Sequence, residues 1–295
     1  MKTVTKYENG ISILVPCYNS GEYLVETVKC LLAQGFEEAP FEIIVVDDAS
    51  TDPATKVLVD QISDLSPLIS VVKNPVNLGL AGARNQAIKC ARYAYSIPID
   101  SDDLLTLPKD GLGKGYLQDG YAKMNQSTDV VIAYCASTYF GSKSGPVGLE
   151  VYSEDLILVK NMIPAYGMFR TEEAISVGGY HETFRGLEDW FMWISLLNNR
   201  VSSNHKAEVA FINKHYHLYR QYPDQSSLTN THGVTLKQFY AEAMARNPSI
   251  YKKYPLTQLR LLYNMLYVKI PARYKGTGLI GKLKSGWAKQ SSKRF

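Results

Sequence analysis

Cysteine and long apolar runs are both scarce in this chain of 295 residues. Its four cysteines, Cys17, Cys30, Cys90 and Cys135, form no CxxC pair, which argues against a disulfide framework and structural zinc and favours a reducing compartment. No apolar run reaches the roughly 20 residues of a bilayer-spanning helix, and MKTVTKYENG lacks the apolar core of a signal peptide. We therefore expect a cytoplasmic globular protein, whose 45% apolar content suffices for one sizeable core.

Acidic residues are missing from the last part of the chain. Residues 251–295 contain eleven Lys or Arg and no Asp or Glu, so a net charge of +4 leaves −7 for the rest once these eleven are subtracted. In a nucleic-acid-binding domain the basic groups line a folded groove. An acidic body with a basic tail does not fit that class, and we expect no nucleic-acid partner.

The basic tail contains one predicted helix, over residues 256–270 between Pro255 and Pro271, which is too short to span a membrane. Its polar residues are scattered around the helix, so we expect it to dock on the rest of the protein. Seven basic residues follow Pro271, and each adds about 1 kcal/mol near an anionic leaflet. Two hypotheses stay open: a peripheral contact with the inner face of the cell membrane, and a solvated flexible tail.

Short apolar runs alternate with helical patterns in the first hundred residues. Strands are predicted at 11–15, 43–46, 69–72 and 95–99. The helices between them are predicted at 21–34, at 55–62 and from NPVNLGLAGARN to about Tyr93. The alternation predicts a Rossmann-like, three-layer α/β/α fold with a mostly parallel central sheet, in which ligands bind at the carboxyl ends of the strands.

The regular alternation stops after Leu107. The remaining patterns predict strands near 130–134, 165–169 and 211–220, a turn at GSKSG, and a helix from about Glu188 to Asn198.

The segment PIDSDDLLTLP ends the fourth strand and places Asp100, Asp102 and Asp103 within four positions. Neighbouring carboxylates raise each other's cost of ionisation, so the cluster calls for a cation or helix-end amides. An EF-hand is excluded because the segment lacks the glycine and the distal glutamate of a calcium loop. The chain also has no GxxxxGK[ST] motif, and NLGLAGARN lacks the third glycine of the dinucleotide spacing, which argues against phosphate-loop enzymes and classical dehydrogenases.

Six motifs in order, VPCYNS, VVDDASTD, NLGLAGARN, IDSDD, GGY and LEDW, resemble those of the family 2 glycosyltransferases, which are inverting, sugar-nucleotide-dependent enzymes of the GT-A fold. The resemblance covers about residues 9–225. It implies a catalytic domain over 1–228, with a nucleotide-binding half at about 9–107 and an acceptor half at about 108–228. Residues 229–295 would form a helical extension with the basic tail.

On the donor side, the resemblance implies a nucleotide-base pocket lined by the first loop, at Pro16, Tyr18 and Asn19. Asp48 would accept a hydrogen bond from the base or ribose, whereas Asp47 or Ser50 would cap the next helix. Arg84 would lie near the diphosphate, at a helix start that favours anions. A UDP-sugar is the expected donor.

IDSDD resembles the DxD signature, which holds Mn²⁺ or Mg²⁺ against the donor diphosphate. Asp102 is the expected metal ligand, and Asp100 touches the ribose or supports the metal. Asp103 shares the coordination or caps the following turn. Hard carboxylate oxygens suit both cations.

On the acceptor side, Glu188 and Asp189 resemble the family's ED pair. Inversion requires attack from the face opposite the leaving diphosphate, so we expect Asp189 to act as the base, with Glu188 beside the acceptor. Trp190 would contribute to an acceptor site or pack in the core. The acceptor would be a hydroxyl of a glycan or of a lipid-linked molecule, as in polysaccharide or cell-surface glycan synthesis.

One position departs from the family pattern: Tyr222 stands where many members have a histidine that contacts the metal or the diphosphate. Upstream, His215 and His217 lie in an alternating strand, where a buried or surface role is the more common one. Two further hypotheses stay open: a catalytically silent scaffold that binds sugar nucleotides or glycans, and a nucleotidyltransferase, although the basic glycine-rich signature of the latter is missing.

Overall fold

The computed structural model describes residues 7–108, 114–148, 151–223 and 236–267. Its contacts divide the chain into a compact unit over Met1–Thr257 and a second unit over Gln258–Phe295. The boundary expected at 228/229 falls outside the described residues and stays a prediction. Within the described part, no helix combines the length and the apolar character needed to cross a bilayer.

The first half alternates strands and helices as predicted. Its elements are β1 Glu8–Cys17, α1 Glu22–Leu32, β2 Phe41–Asp47, α2 Pro53–Gln61, β3 Ile69–Lys73, α3 Gly79–Cys90 and β4 Tyr93–Pro98.

The second half is less regular. Its strands are β5 Leu104–Leu105, β6 Val130–Gly141, β7 Gly145–Pro146, β8 Met168–Arg170 and β9 Glu208–Gln221. Its helices are α4 Tyr116–Gln126, α5 Thr171–Ser176, α6 Glu188–Ser202, α7 Leu236–Arg246, α8 Pro248–Lys253 and α9 Pro255–Tyr267. The helix predicted over 256–270 corresponds to α9, and residues from 268 onward lie outside the described part.

The strands form one sheet in the order β3-β2-β1-β4-β8-β6-β9-β5, and β7 pairs with β6. Neighbours are parallel from β3 to β4 and between β6 and β9, and antiparallel at the remaining pairs. The expectation of a mixed α/β fold with a mostly parallel sheet is confirmed.

The central strands are covered on both faces. Alternate residues of β1, β2 and β4, such as Ile13, Ile43 and Ile97, are fully buried in a cluster with side chains of α1, α2 and α4. The opposite face of β1 and β2 contacts α3, and β4 contacts α5. Strands with both faces buried read as continuous apolar runs, which is why 11–15 and 43–46 were recognisable as strands.

Two local predictions are wrong. Helix α3 ends at Cys90 rather than near Tyr93, because Ala91 is extended and Tyr93 opens β4. The N-cap of α2 is neither Asp47 nor Ser50 but Asp52, whose Oδ2 accepts a 2.7 Å hydrogen bond from the Thr55 amide. Asp47 instead accepts a hydrogen bond from the Ser50 amide at 3.1 Å, within the loop.

Candidate functional site

The carboxyl ends of β1, β2 and β4 lie side by side, because Cys17 is in register with Asp47 and Leu14 with Pro98. The loops that follow these strands are joined to one another. Ser20 and Ser101 share a hydrogen bond of 2.6 Å between their hydroxyl groups. The parallel sheet therefore gathers three of the predicted motifs at one edge.

The first loop meets the second through Asn19. Asn19 has a φ of 54°, a left-handed conformation that asparagine tolerates better than most residues. Its Oδ1 accepts hydrogen bonds from the amides of Thr51 and Asp52, at 2.8 and 2.9 Å. Pro16 is buried within β1, whereas Tyr18 is 48% exposed. Of the three residues predicted to line a base pocket, Tyr18 has an aromatic ring that is exposed to solvent.

Asp48 anchors the loop before α3. Its carboxylate is 3% exposed and accepts hydrogen bonds from the side chain of Asn74 and from the amides of Leu78 and Gly79, at 2.7, 2.9 and 2.8 Å. A carboxylate at a helix start is stabilised by the unpaired amides there. The contact of Asp48 with a nucleotide stays a prediction.

The three aspartates after β4 have different surroundings. The side chain of Asp100 is 35% exposed. Asp102 Oδ2 accepts a hydrogen bond from the Tyr222 hydroxyl at 2.7 Å. Asp103 is buried, and its Oδ1 accepts a hydrogen bond from the Arg220 amide at 2.9 Å. Burial, Asp103 and Asp100 together raise the pKa of Asp102 to about 6. Asp102 therefore carries negative charge that its protein neighbours do not balance.

The end of β9 holds this acidic loop in place. The Nε of Arg220 donates to the Asp102 carbonyl at 2.7 Å, and its terminal nitrogen donates to Glu26 of α1 at 2.6 Å. The guanidinium also lies 4.4 Å from the ring centre of Tyr23. Sequence reasoning missed Arg220, although it immediately precedes the stretch in which a metal-contacting residue was sought.

Both histidines of β9 have protein partners. His217 is buried, with Nδ1 2.9 Å from the Ser137 hydroxyl and Nε2 3.1 Å from Asp103 Oδ2. His215 places Nδ1 2.9 Å from the Ser137 carbonyl. His217 thus contacts the carboxylate of Asp103. The carboxylate of Asp102 is instead contacted by Tyr222, the residue at the position where many family members have a histidine.

Arg84 links the acidic loop to α6. Its side chain is 2% exposed, and its two terminal nitrogens donate to Asp100 Oδ1 at 2.7 Å and to Glu188 Oε1 at 3.3 Å. The guanidinium lies 5.5 Å from the ring centre of Tyr180. Both terminal nitrogens of Arg84 are thus occupied by carboxylates. The contact of Arg84 with a diphosphate stays a prediction.

The GGY motif forms a tight turn against α3. Asn85 donates to the Tyr180 carbonyl at 2.9 Å and accepts from the Tyr180 amide at 2.8 Å. Gly179 has a φ of 70°, and an added Cβ would lie 2.4 Å from Asn85 Oδ1. Glycine is therefore required here for both conformation and space.

Helix α6 begins with the two acids predicted for the acceptor side. Glu188 is 4% exposed. Asp189 accepts hydrogen bonds from the Trp190 amide at 2.7 Å and from Asn161 Nδ2 at 3.0 Å. Burial and the adjacent Glu188 raise the pKa of Asp189 to about 7. Such a carboxylate can accept a proton near neutral pH more readily than an ordinary aspartate.

Trp190 lies in the packing between α6 and α7. Its ring is 3% exposed and stacks on Phe239, with 4.4 Å between the ring centres. Its indole nitrogen donates to the Ile157 carbonyl at 2.5 Å. Of the two roles expected for Trp190, the structure supports packing in the core.

Across the described ranges, no group of three or more His, Cys, Asp or Glu side chains forms a complete metal site. A Mg²⁺ ion commonly uses one or two carboxylates and completes its coordination with water and substrate phosphates. The raised pKa of Asp102 and the partial exposure of Asp100 fit that pattern. These two carboxylates suit a cation that shares its ligands with a bound diphosphate.

Comparison with known proteins gives a consistent result. Residues 12–147 match the family model described as glycosyl transferase family 2. The chain is 37% identical over 118 residues to a poly(ribitol-phosphate) beta-glucosyltransferase of Bacillus spizizenii, which covers 40% of this chain and 18% of that protein. It is 36% identical over 95 residues to the poly(ribitol-phosphate) beta-N-acetylglucosaminyltransferase TarS of Staphylococcus aureus, which covers 32% of this chain and 16% of TarS. The chain thus spans less than a third of the length of these curated relatives.

Solved structures share the fold. Residues 1–349 of TarS, in complex with UDP-GlcNAc, align with a TM-score of 0.61 at 18% identity, over 89% of this chain and 77% of that one. The mannosyltransferase PcManGT from Pyrobaculum calidifontis, in complex with GDP-Man and Mn²⁺, aligns with a TM-score of 0.57 at 17% identity, over 96% and 80%. The fold is that of the GT-A class. Residues 12–147 thus carry the match to glycosyltransferase family 2 that the order of the motifs predicts.

The raised pKa of Asp102 predicts a cost in stability. Relative to the ordinary value of 3.8, a folded-state pKa of about 6 means that ionisation of Asp102 destabilises the fold as pH rises between these values. Asp102→Asn keeps an acceptor for Tyr222 and removes the charge. In the presence of EDTA, we expect this variant to be more stable than wild type by about 1 to 3 kcal/mol near pH 7.5 in urea denaturation.

The difference should shrink towards zero below about pH 4, where Asp102 is protonated in both the folded and the unfolded chain. Asp60→Asn serves as a control, because Asp60 is 61% exposed and pairs with Lys73 at the surface. Equal stability of wild type and Asp102→Asn at both pH values would contradict the prediction.

Proposed function

We propose that this protein transfers a sugar, with inversion, from a nucleotide-diphosphate donor to a hydroxyl of a glycan or lipid-linked acceptor. The observation that carries the proposal is the Arg84 bridge, in which one buried guanidinium binds Asp100 of the acidic loop and Glu188, the neighbour of Asp189 in α6. The match of residues 12–147 to the family model supports the reaction class. A UDP-sugar is our choice of donor, because TarS was solved with UDP-GlcNAc and with UDP, although PcManGT was solved with GDP-Man.

The donor would lie along the carboxyl edge of β1, β2 and β4. The exposed ring of Tyr18 offers an apolar face for a nucleobase. Asp100 and Asp102 would hold Mn²⁺ or Mg²⁺, which supplies positive charge against the diphosphate when bound. Tyr222 orients Asp102 through its hydroxyl, and Arg220 holds the loop backbone.

Asp189 would accept the proton of the acceptor hydroxyl. An inverting reaction needs this base on the side of the sugar opposite the diphosphate. Asp189 is the second residue of α6, and its neighbour Glu188 is linked through Arg84 to Asp100 of the acidic loop. Burial and the adjacent Glu188 raise the pKa of Asp189, which makes it a stronger base than a free aspartate.

The names of the relatives support a general class of acceptor, a cell-surface polymer, and no particular molecule. Two of them are poly(ribitol-phosphate) transferases, and another is a putative teichuronic acid biosynthesis glycosyltransferase of Bacillus subtilis, 36% identical over 100 residues. We propose polysaccharide or cell-surface glycan synthesis on this basis. A silent binding scaffold differs from this proposal in one measurable way, since it would bind a donor and transfer nothing.

A donor screen tests the first step. We expect one of the UDP, GDP and dTDP sugars, with UDP-sugars first, to raise the melting temperature of the protein in the presence of Mn²⁺ or Mg²⁺, and EDTA to abolish the shift. Asp102→Asn should lose the metal-dependent part of the donor-induced rise in melting temperature, whereas Asp60→Asn should retain it. A full donor-induced shift in EDTA would contradict the metal assignment, and no shift with any sugar nucleotide would contradict the donor class.

Replacement of the base tests the second step. Asp189→Asn should bind the donor as wild type does and should transfer or hydrolyse the sugar roughly 100-fold more slowly or worse, because the positioned base is lost. The measurement is release of the nucleotide diphosphate under saturating donor. Transfer at nearly the wild-type rate would remove Asp189 from the mechanism, and donor binding without turnover by wild type would favour the scaffold.

The basic tail suggests a lipid surface as the location of the acceptor. Residues after Pro271 carry seven Lys or Arg and no acid. We expect full-length protein to sediment with anionic vesicles at physiological salt, and a chain truncated after Pro271 to stay in the supernatant, since each basic residue adds about 1 kcal/mol. Neutral vesicles are the control. Equal recovery of both proteins in the supernatant would contradict membrane contact and leave the transferase proposal unaffected.

A further inference from the structure

The segment 157–163 leaves a short 3₁₀ helix, Leu156–Leu158, and is irregular from residue 159 onward. It runs beside the start of α6 and is held there by side chains. The indole nitrogens of Trp190 and Trp193 donate to the carbonyls of Ile157 and Ile163, at 2.5 and 3.0 Å. An indole nitrogen can only donate, and when buried it needs such a partner. The two tryptophans therefore fix both ends of the segment on α6.

Helix α7 adds a third attachment. The hydroxyl of Tyr240 donates to the Val159 carbonyl at 2.6 Å. The segment thus has fixed backbone positions on either side of Asn161. An exposed side chain on a backbone held in this way can be placed reproducibly.

Asn161 is exposed, and its side chain points towards Asp189. Its Nδ2 donates to Asp189 Oδ2 at 3.0 Å, and its Oδ1 accepts from the Ile163 amide at 3.3 Å. The orientation of the amide group follows from these partners. An ionised carboxylate only accepts and a backbone amide only donates, so the NH₂ group must face Asp189.

We infer that Asn161 is a positioning residue for the base of the proposed transferase: its amide group orients the carboxylate of Asp189 and favours the ionised form. The inference rests on the proposed function and extends it to a residue of the irregular segment, which no motif includes. Asn161 is exposed beside the base, so its amide is accessible to an acceptor hydroxyl bound near Asp189. Asn161 therefore contributes to the acceptor side of the site.

The groups that act on the charge of Asp189 come from α6, α3 and the segment 157–163. Glu188 on the same helix and burial both disfavour ionisation, whereas Arg84 of α3, the Trp190 amide and Asn161 favour it. Tyr180, in the turn before α6, also faces this group of charges. Arg84 pairs with Asp100 and Glu188, and the Trp190 donor belongs to the backbone. Asn161 is therefore the side-chain donor that can be removed without disturbing the other carboxylates.

Two variants separate positioning from a purely structural role. Asn161→Ala removes the donor to Asp189 and the acceptor for Ile163. Asn161→Asp keeps an oxygen that can accept from the Ile163 amide, but it replaces the donor by a second negative charge. If Asn161 only shaped the segment, Asn161→Asp would behave as wild type and Asn161→Ala would be the damaged variant.

We expect the opposite order. Loss of the donor raises the pKa of Asp189, so the acidic limb of the pH profile of kcat should move to higher pH by about 0.5 to 1 unit in Asn161→Ala and further in Asn161→Asp. On the acidic limb this corresponds to a roughly 3- to 10-fold lower kcat for Asn161→Ala. The KM for the donor should remain unchanged, because the donor binds on the other side of Arg84.

Asn9→Ala is the matched control. Asn9 is exposed and donates one hydrogen bond, to the Tyr121 hydroxyl at 2.7 Å, at the opposite end of β1 from the site. Its pH profile should coincide with that of wild type. Unmoved profiles in both Asn161 variants, or a shift in Asn161→Ala alone, would overturn the inference.

A second readout does not depend on turnover. The carboxyl carbon of Asp189 can be titrated by NMR in wild type and in the two Asn161 variants. We expect its apparent pKa to rise in the same order as the kinetic limb, and an identical titration in all three proteins would overturn the inference. If no sugar is transferred and the titration still shifts, the proposed function fails while the contact between Asn161 and Asp189 stands.

Discussion

The buried guanidinium of Arg84 is the interaction on which the candidate site depends. A charge with 2% exposure is tolerated only when partners compensate it, and here the partners are Asp100, after β4, and Glu188, at the start of α6. Removal of one partner from such a group typically costs about 3 to 5 kcal/mol. The edge of the sheet and the helix that carries Asp189 are therefore held at a fixed separation, which the proposed two-substrate reaction would require.

The end of β9 imposes a second constraint, on the acidic loop. His217 lies against Asp103, Arg220 binds the loop backbone, and Tyr222 binds Asp102. These contacts leave Asp103 well supported and Asp102 with excess negative charge, as its raised pKa indicates. The three aspartates are thus unequal in a way that their spacing does not reveal. Asp103 is part of the scaffold, Asp100 is paired with Arg84, and Asp102 accepts a hydrogen bond from Tyr222.

The sequence was sufficient to predict the alternating half of the fold and the place of the motifs, because buried strands read as apolar runs and their loops meet at one edge of the sheet. It was not sufficient to predict which motif residues are buried. Arg84 is buried against Glu188 of α6, and Trp190 is buried against Phe239 of α7. Each partner is far away in the sequence, so its proximity follows from tertiary packing and not from a local pattern. The Asp52 cap was readable, since Asp52 followed by Pro53 is a common helix start. The role of Asn161 could not be predicted from the sequence, because Asn161 lies in a segment whose apolar residues follow neither a helical nor a strand period.

The proposed donor side and the proposed acceptor side of the site are held in place by different kinds of contact. This difference bears on how readily acceptor specificity could change in evolution. Donor-side carboxylates are fixed by contacts from the sheet and α3, so a substitution there disturbs the fold as well as the ligand. The acceptor side combines a fixed helix with an irregular segment whose attachments to α6 and α7 use backbone carbonyls. Carbonyl contacts do not depend on the identity of the side chain, but Ile157, Leu158, Met162 and Ile163 are buried, so variation is confined to the positions between Leu158 and Met162. In the proposed transferase, such a scaffold would keep one way of binding nucleotide sugars while the glycosylated hydroxyl varies.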